Sequence, residues 1–166
     1  TGQSKGSLLS IVDRTVTGAG ARLLSHRLSS PLVEPYEIIV RLDSVQYFFD
    51  RHLERADIRS ELKQSFDLER ALSRLIMARG GPRDLVAILK SLIVSRNLKG
   101  RLSHTQEAFD GLATELNDAM TDLGSHDGLI DELQMALVEE PPLLARDGGF
   151  IASGYSAALD EFRMLR

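Results

Sequence analysis

Apolar residues recur along this 166-residue chain three and four positions apart, the spacing of an amphipathic helix, from near its start to its end. Leu8, Leu9, Ile11 and Val12 follow Ser7, whose hydroxyl can accept an orphan amide of a first helical turn, and Asp13 ends that short segment. Thr15 and Thr17 are β-branched hydroxyl residues suited to a corner. Thr17 is the expected N-cap of a helix from about Gly18 to Ser29, with Leu24 facing the core and Pro31 closing it. Pro35 suits the first turn of the next helix, because its missing amide would be unpaired there anyway. That helix is expected to reach about Leu53 and to bury the stripe Ile38, Leu42, Val45, Phe49 and Leu53.

The pattern then predicts a helix from Ala56-Asp57 with Asp57 as cap and Ile58, Leu62 and Phe66 inward. Asp67 caps another, Leu68 to Arg79, burying Leu68, Leu72, Leu75 and Ile76, with Gly80-Gly81-Pro82 supplying a left-handed end. Pro82 to about Asn97 is apolar around most of its circumference, through Leu85, Val86, Ile88, Leu89, Leu92 and Ile93, and reads as a central helix. Ser103 is the expected cap of a long helix to Leu123, whose Phe109, Leu112, Leu116, Ala119 and Leu123 form a seam for a neighbour. A shorter helix, Leu129 to Glu139, turns Leu129, Leu133, Ala136 and Leu137 inward. Pro141-Pro142 and Asp147-Gly148-Gly149 break the pattern and predict a loop or short hairpin up to Tyr155, and helical spacing resumes from Ser156. The fold expected is all-α, an irregular helical bundle of roughly eight helices with a short hairpin or loop near the C-terminal end.

Composition narrows the class. The chain is 43% hydrophobic and 27% charged, as in a soluble globular domain, and its scarcity of aromatics favours helix over sheet. It has no cysteine, which excludes disulfides and thiolate metal sites and is compatible with a reducing compartment. No apolar run approaches the roughly 20 residues of a membrane span, and the first residues have no signal-peptide core. The net charge of -4 is unevenly laid out: 17 Lys and Arg face 11 Asp and Glu through Gln106, and 3 face 13 beyond it. That division fits a nucleic-acid face followed by a region held away from phosphate, or halves that pack together as solvated helix faces. The scattered basic residues, with no aromatic platform among them, favour the second.

Candidate chemistry is sparse. Gly2 and Gly6 have three residues between them and no Lys follows, whereas a phosphate loop needs four and then Lys-Ser/Thr. His26, His52, His104 and His126 are far apart, so neither zinc nor a catalytic dyad is indicated. Glu115, Asp118 and Asp122 share a helix face, but a di-metal centre also needs Glu-x-x-His pairs; a solvated acidic face is the simpler reading. The stretch around Gly80-Gly81-Pro82 has the outline of a helix-turn-helix, yet reading DNA there would expose Val86, Ile88 and Leu92.

Four blocks follow in order. The first is Gly6-Ser7-Leu8-Leu9, Asp13-x-Thr15-x-Thr17, Gly20-x-Arg22-Leu23-Leu24 and Pro31-Leu32. The second is Arg41-Leu42-Asp43-x-Val45. The third is Asp67-Leu68-Glu69-Arg70 followed by Pro82-Arg83-Asp84-Leu85. The fourth is Glu140-Pro141-Pro142-Leu143-Leu144-x-Arg146-Asp147-Gly148-Gly149-x-Ile151-x-x-Gly154-Tyr155. Together they resemble the MutS family of DNA mismatch-repair ATPases. Arg27 departs from the pattern, since many members carry Trp there.

The resemblance implies the helical core, or lever, domain of a longer protein: residues 1–155 as its first part and 156–166 as the start of the helix leading toward the clamp. It implies no catalytic, cofactor or metal residue in this chain; ATP and Mg belong to an ATPase domain elsewhere in the parent. Implied partners are the parent's connector, clamp and ATPase domains, mismatched duplex DNA through the parent, downstream repair proteins and a second parent copy as homodimer, with no membrane. The implied location is cytoplasmic and nucleoid-associated. Asp13, Thr15, Thr17, Gly20, Arg22, Leu24, Pro31, Arg41, Asp67, Glu69, Arg70, Asp84, Arg146, Asp147 and Gly148 would be framework residues, satisfying corner amides and holding elements that carry motion between domains. The alternative from another class is an unrelated all-α adaptor that binds a protein through an exposed apolar seam.

Overall fold

A computed structural model describes residues 6–108 and 113–165, with side chains for all of these but 105–108. The helices are α1 (Leu8–Val12), α2 (Gly18–Ser29), α3 (Pro35–Asp50), α4 (His52–Leu62), α5 (Leu68–Ile76), α6 (Pro82–Ala108), α7 (Thr114–Asp122), α8 (Asp127–Ala136) and α9 (Ala157–Met164). A 3₁₀ turn covers Ala145–Asp147, and one isolated antiparallel bridge joins Leu137 to Ile151. The fold is all-α, as the spacing predicts. It divides into two compact units, Thr1–Ser65 with Val94–Gly124 and Phe66–Ile93 with Ser125–Arg166, so α6 supplies residues to both.

In the first unit the opening corner forms as its hydroxyls dictate. Ser7 Oγ accepts from Ser10 N at 3.2 Å, and Thr17 Oγ1 accepts from Gly20 N at 3.0 Å, capping α1 and α2. The core gathers on Tyr47, Leu102 and Met120, with Phe48, Ile58 and Leu116 packed around them. Tyr47 keeps its hydroxyl satisfied by donating to Glu54 Oε1 at 2.8 Å, and the Arg51 guanidinium lies 4.2 Å from its ring centre.

Tyr47 also explains a correction. α3 ends at Asp50 and Arg51 leaves the helical region, so Leu53 belongs to α4, and Asp57 sits inside α4 instead of capping it. The row that α3 buries is Ser44 and Tyr47; the expected stripe lies outside, with Leu42 57%, Phe49 71% and Leu53 72% exposed. At about 100° per residue the two rows stand roughly 150° apart, so burying one exposes the other.

The long helix is placed differently from the expectation too. α6 runs unbroken through Asn97 and Ser103 to Ala108, because Val94, Leu98 and Leu102 continue its buried face and Gly100 is a tolerable interior cost of about 1 kcal/mol. Ser103 Oγ therefore donates back to Lys99 O at 2.9 Å and caps nothing. A separate helix, α7, starts after Ala113, whose backbone is extended at ψ 140°. Phe109 and Leu112 of the expected seam lie outside the described residues. Of the rest of that seam, Leu116 is half-buried and Ala119 exposed. α6 closes the open end of α7, with Lys99 Nζ donating to Gly124 O at 2.8 Å.

The second unit is built on Ala71, Ile88, Leu92 and Ile130, with Leu68, Leu75 and Leu133 around them. Asp67 caps α5 as predicted, its Oδ1 accepting from Arg70 N at 3.3 Å. α5 stops at Ile76, however, short of Arg79. Leu72 and Ile76 are exposed and Ala71 holds the buried position, because Ala71 is what fits against Ile88 and Ile130. Leu129 is likewise exposed, and Ile130 takes the inward place on α8. A second cluster, Val86, Ala136 and Leu137 with Phe150 and Ile151, forms where the segment after α8 folds back. Val138 N donates to Phe150 O at 3.0 Å and Ala152 N to Ala136 O at 2.8 Å, a minimal hairpin whose turn uses Gly148 and Gly149 at φ 68° and 72°. Ser156 then caps α9.

Candidate interdomain framework

The signature residues do not converge on one point. They form local polar ties at the ends of helices, in each unit separately. At the opening corner Asp13 Oδ1 accepts both Thr15 N, at 2.9 Å, and Thr15 Oγ1, at 2.7 Å. These two donors, the hydroxyl first and the amide second, hold the Asp13 carboxyl below its usual pKa. Gly20 is required where it stands, since a Cβ there would come within 2.9 Å of the capping Thr17 Oγ1. Arg22 is half-buried on α2, and Pro31 follows its end. Leu24 is half-buried and α2 has no fully buried residue, so its inward place is shallower than the spacing predicts.

The second tie lies in the other unit. Arg74 of α5 grips Asp84 of α6 through Nη2 and through Nε at 2.8 Å, while Asp84 Oδ2 accepts from Gly81 N at 3.0 Å. Asp84 therefore closes the N-terminus of its own helix, as an acid in the first turn should, and fastens α5 to it. The Arg74 guanidinium is the chief cause of the lowered Asp84 pKa, burial opposes it, and the Gly81 amide adds to it. Arg70 pairs with Asp67 at 3.4 Å, one turn along α5, and Glu69 lies exposed in that first turn. Arg83 Nε donates to Pro141 O at 3.3 Å, linking the third sequence block to the fourth. Arg146 and Asp147 are exposed in the 3₁₀ turn and Gly148 supplies its left-handed exit, so these three shape a corner.

A third tie joins residues that the sequence reading keeps apart. Glu115, on the face read as solvated acid, turns inward on α7: its Oε1 is 2.7 Å from Arg27 Nη2 and 3.6 Å from Arg41 Nε. One carboxylate thus joins α2, α3 and α7, and the departure at Arg27 is an ion pair. The Arg41 Nε is buried and makes no hydrogen bond, because Glu115 lies beyond bonding distance. On either side of this tie lie clefts of about 510 and 400 Å³. Spacing cannot show Glu115 or Arg74 as partners, since each pair is distant in sequence and depends on how helices cross.

Among the described residues no group of three or more His, Asp or Glu side chains is placed to hold a metal ion. Val86, Ile88 and Leu92 are buried, so α6 does not present them to a groove as a reading helix would. No helix among the described residues is long and apolar enough to cross a membrane.

The sequence profile of MutS domain III matches residues 1–166. The chain belongs to the MutS domain III family. It is 49% identical over its whole length to the DNA mismatch repair protein MutS of Roseobacter denitrificans, 47% to that of Paracoccus denitrificans, and 44% over a 167-residue alignment to that of Rhizobium meliloti. It spans 18% of the length of each of these relatives. The segment is thus a MutS domain III and is distinct from the family's ATPase domain, and the reading as an unrelated adaptor is overturned.

Proposed function

We propose that this chain is the first part of the lever of a MutS-type mismatch-repair protein, coupling a distant ATPase to the clamp that holds DNA. The observation that carries the reading is the domain III match along all 166 residues. The parent would bind mismatched duplex DNA and ATP with Mg in domains outside this chain, work as a homodimer, and recruit downstream repair proteins in the cytoplasm at the nucleoid. Residues 1–155 would be the core proper, and 156–166 would begin the helix toward the clamp.

Physical features of the chain support this role. A lever needs stiff elements tied at their ends, so that a push at one site moves another instead of dissipating locally. The 27 residues of α6 make about 40 Å of continuous helix that contributes Ile88 and Leu92 to one core and Leu102 to the other. The Asp84, Glu115 and Asp13 ties fix helix ends, where slippage would otherwise begin. The test is Asp84→Ala in the full-length parent. Mismatch binding should persist while ATP-triggered release from DNA changes by about 2- to 30-fold, the span of typical coupling energies. Unchanged release kinetics in a correctly folded variant would overturn the lever role of this tie. The isolated chain should bind duplex DNA negligibly in fluorescence anisotropy at physiological salt, because its basic residues are dispersed over several helices.

A further inference from the structure

We propose that the exposed face of α3, with the arginine-rimmed cleft beside it, is a docking surface for an amphipathic helix that carries a carboxylate and belongs to the parent polypeptide outside these 166 residues. The proposal rests on the domain III assignment. Leu42, Val45 and Phe49 lie on one side of α3 and are each more than half exposed. Three large apolar side chains on one helix face form a patch of the kind that soluble proteins keep covered. The spacing of the stripe is that of a helix seam, so the shape it accepts is another helix.

The cleft adds the charge. Val45 and Phe49 form part of its wall, and Arg27, Arg41, Arg55 and Glu115 are the charged residues that line its volume of about 510 Å³. Three guanidinium groups face one carboxylate, an excess of two positive charges. Arg55 donates Nη1 to Phe48 O at 2.8 Å, and no carboxylate among the described residues pairs with it. An occupant that carries Asp or Glu beside its apolar stripe satisfies both features, the carboxylate meeting Arg55. A second copy of this chain does not: an isologous contact would set one arginine rim against the same rim. The source is at hand, because the chain spans 18% of the length of its full-length relatives.

The chain contains no cysteine, so Phe49→Cys places a unique thiol on the patch and Asp43→Cys places one about 130° around the same helix as control. Both are labelled with N-ethylmaleimide, in the 166-residue chain and in the full-length parent, without nucleotide, and followed by mass spectrometry of the peptide concerned. The thiol at 49 should react at least about tenfold more slowly in the parent than in the chain, while the thiol at 43 reacts equally in both. Equal rates at 49 would overturn the proposal. So would protection at 49 in the isolated chain that grows with protein concentration, which would assign the face to a second copy. Adding Arg55→Glu to the parent should restore labelling at 49, with circular dichroism unchanged; protection that survives the reversal overturns the carboxylate. Failure of the lever reading would appear instead in ATP-triggered release, which this labelling does not involve.

Discussion

The end of α5 offers a test in which the sign of the effect decides between two registers. Helical spacing carries α5 to Arg79 and gives the left-handed cap to Gly80, whereas the structure ends it at Ile76 and puts Ala78 at φ 53°. Arg79 N donates to Arg74 O at 2.8 Å and Ala78 N to Leu75 O at 3.0 Å, the paired bonds of a Schellman cap with Ala78 in the position usually held by glycine. An L-residue there costs roughly 1–2 kcal/mol, while a glycine costs about 0.5–1 kcal/mol more entropy to order. Ala78→Gly should therefore stabilise the chain by about 0.5–1 kcal/mol. Were Ala78 inside a helix, the same change would destabilise it by about 1 kcal/mol. Gly80 has a different duty: a Cβ there would lie 2.5 Å from Leu75 Cδ2 and 2.9 Å from Leu75 Cα, so Gly80→Ala should cost about 1–3 kcal/mol through overpacking. The assay is chemical denaturation with the slope held constant, and a 1 kcal/mol change should move the thermal midpoint by about 2–4 °C for a chain of this size. A destabilised Ala78→Gly would refute the cap register.

Ile130 has no exposed surface and packs among Ala71, Ile88 and Leu92, so Ile130→Ala should cost about 2–5 kcal/mol in the same assay, whereas Ile76→Ala, at an 83% exposed site, should stay within about 0.5 kcal/mol. Asp84 has its carboxyl pKa lowered by Arg74, so the tie contributes stability above the unfolded value of about 4 and loses it as pH falls through the lowered one. Denaturant midpoints of the native chain should accordingly fall more steeply on acidification below about pH 4 than those of Asp84→Asn, and parallel curves would show the tie contributes nothing.

Three helix caps were legible because they are local chemistry, whereas Asp57 and Ser103, read the same way, lie inside helices. Ser7, Thr17 and Asp67 each accept the amide three residues on, and a hydroxyl or carboxylate before an apolar run is enough to place them. Pro35 and Gly148-Gly149 were legible for the same reason. The facing of α3 was not, since Ser44 and Tyr47 look like surface residues until Leu102 and Met120 are packed against them. Nor was the run of α6 past Asn97, because Ser103 reads as a cap when the buried Val94, Leu98 and Leu102 on the same helix are not weighed against it. The signature residues were chosen chiefly by family pattern; which partner each grips is a matter of helix crossings, and Glu115 and Arg74 make ties that the pattern does not mark.

The misfacing of α3 and the framework reading have one physical origin. Hydrophobic spacing reports that a face is buried somewhere, without saying against what, and α3 has two such faces about 150° apart. Its polar-looking row, Ser44 and Tyr47, closes onto Leu102 and Met120 with both hydroxyls satisfied, and its more apolar row is left outward. A helix of a self-sufficient domain would put the more apolar row inside, since each large side chain buried is worth about 1.5–3 kcal/mol. The inverted choice makes sense when the inward row serves this unit and the outward row serves another part of a longer chain like the relatives, of whose length these residues span 18%. The same logic places Glu115, Arg27 and Arg41 at the join, where the cleft lies against the outward face and charge can select what docks there.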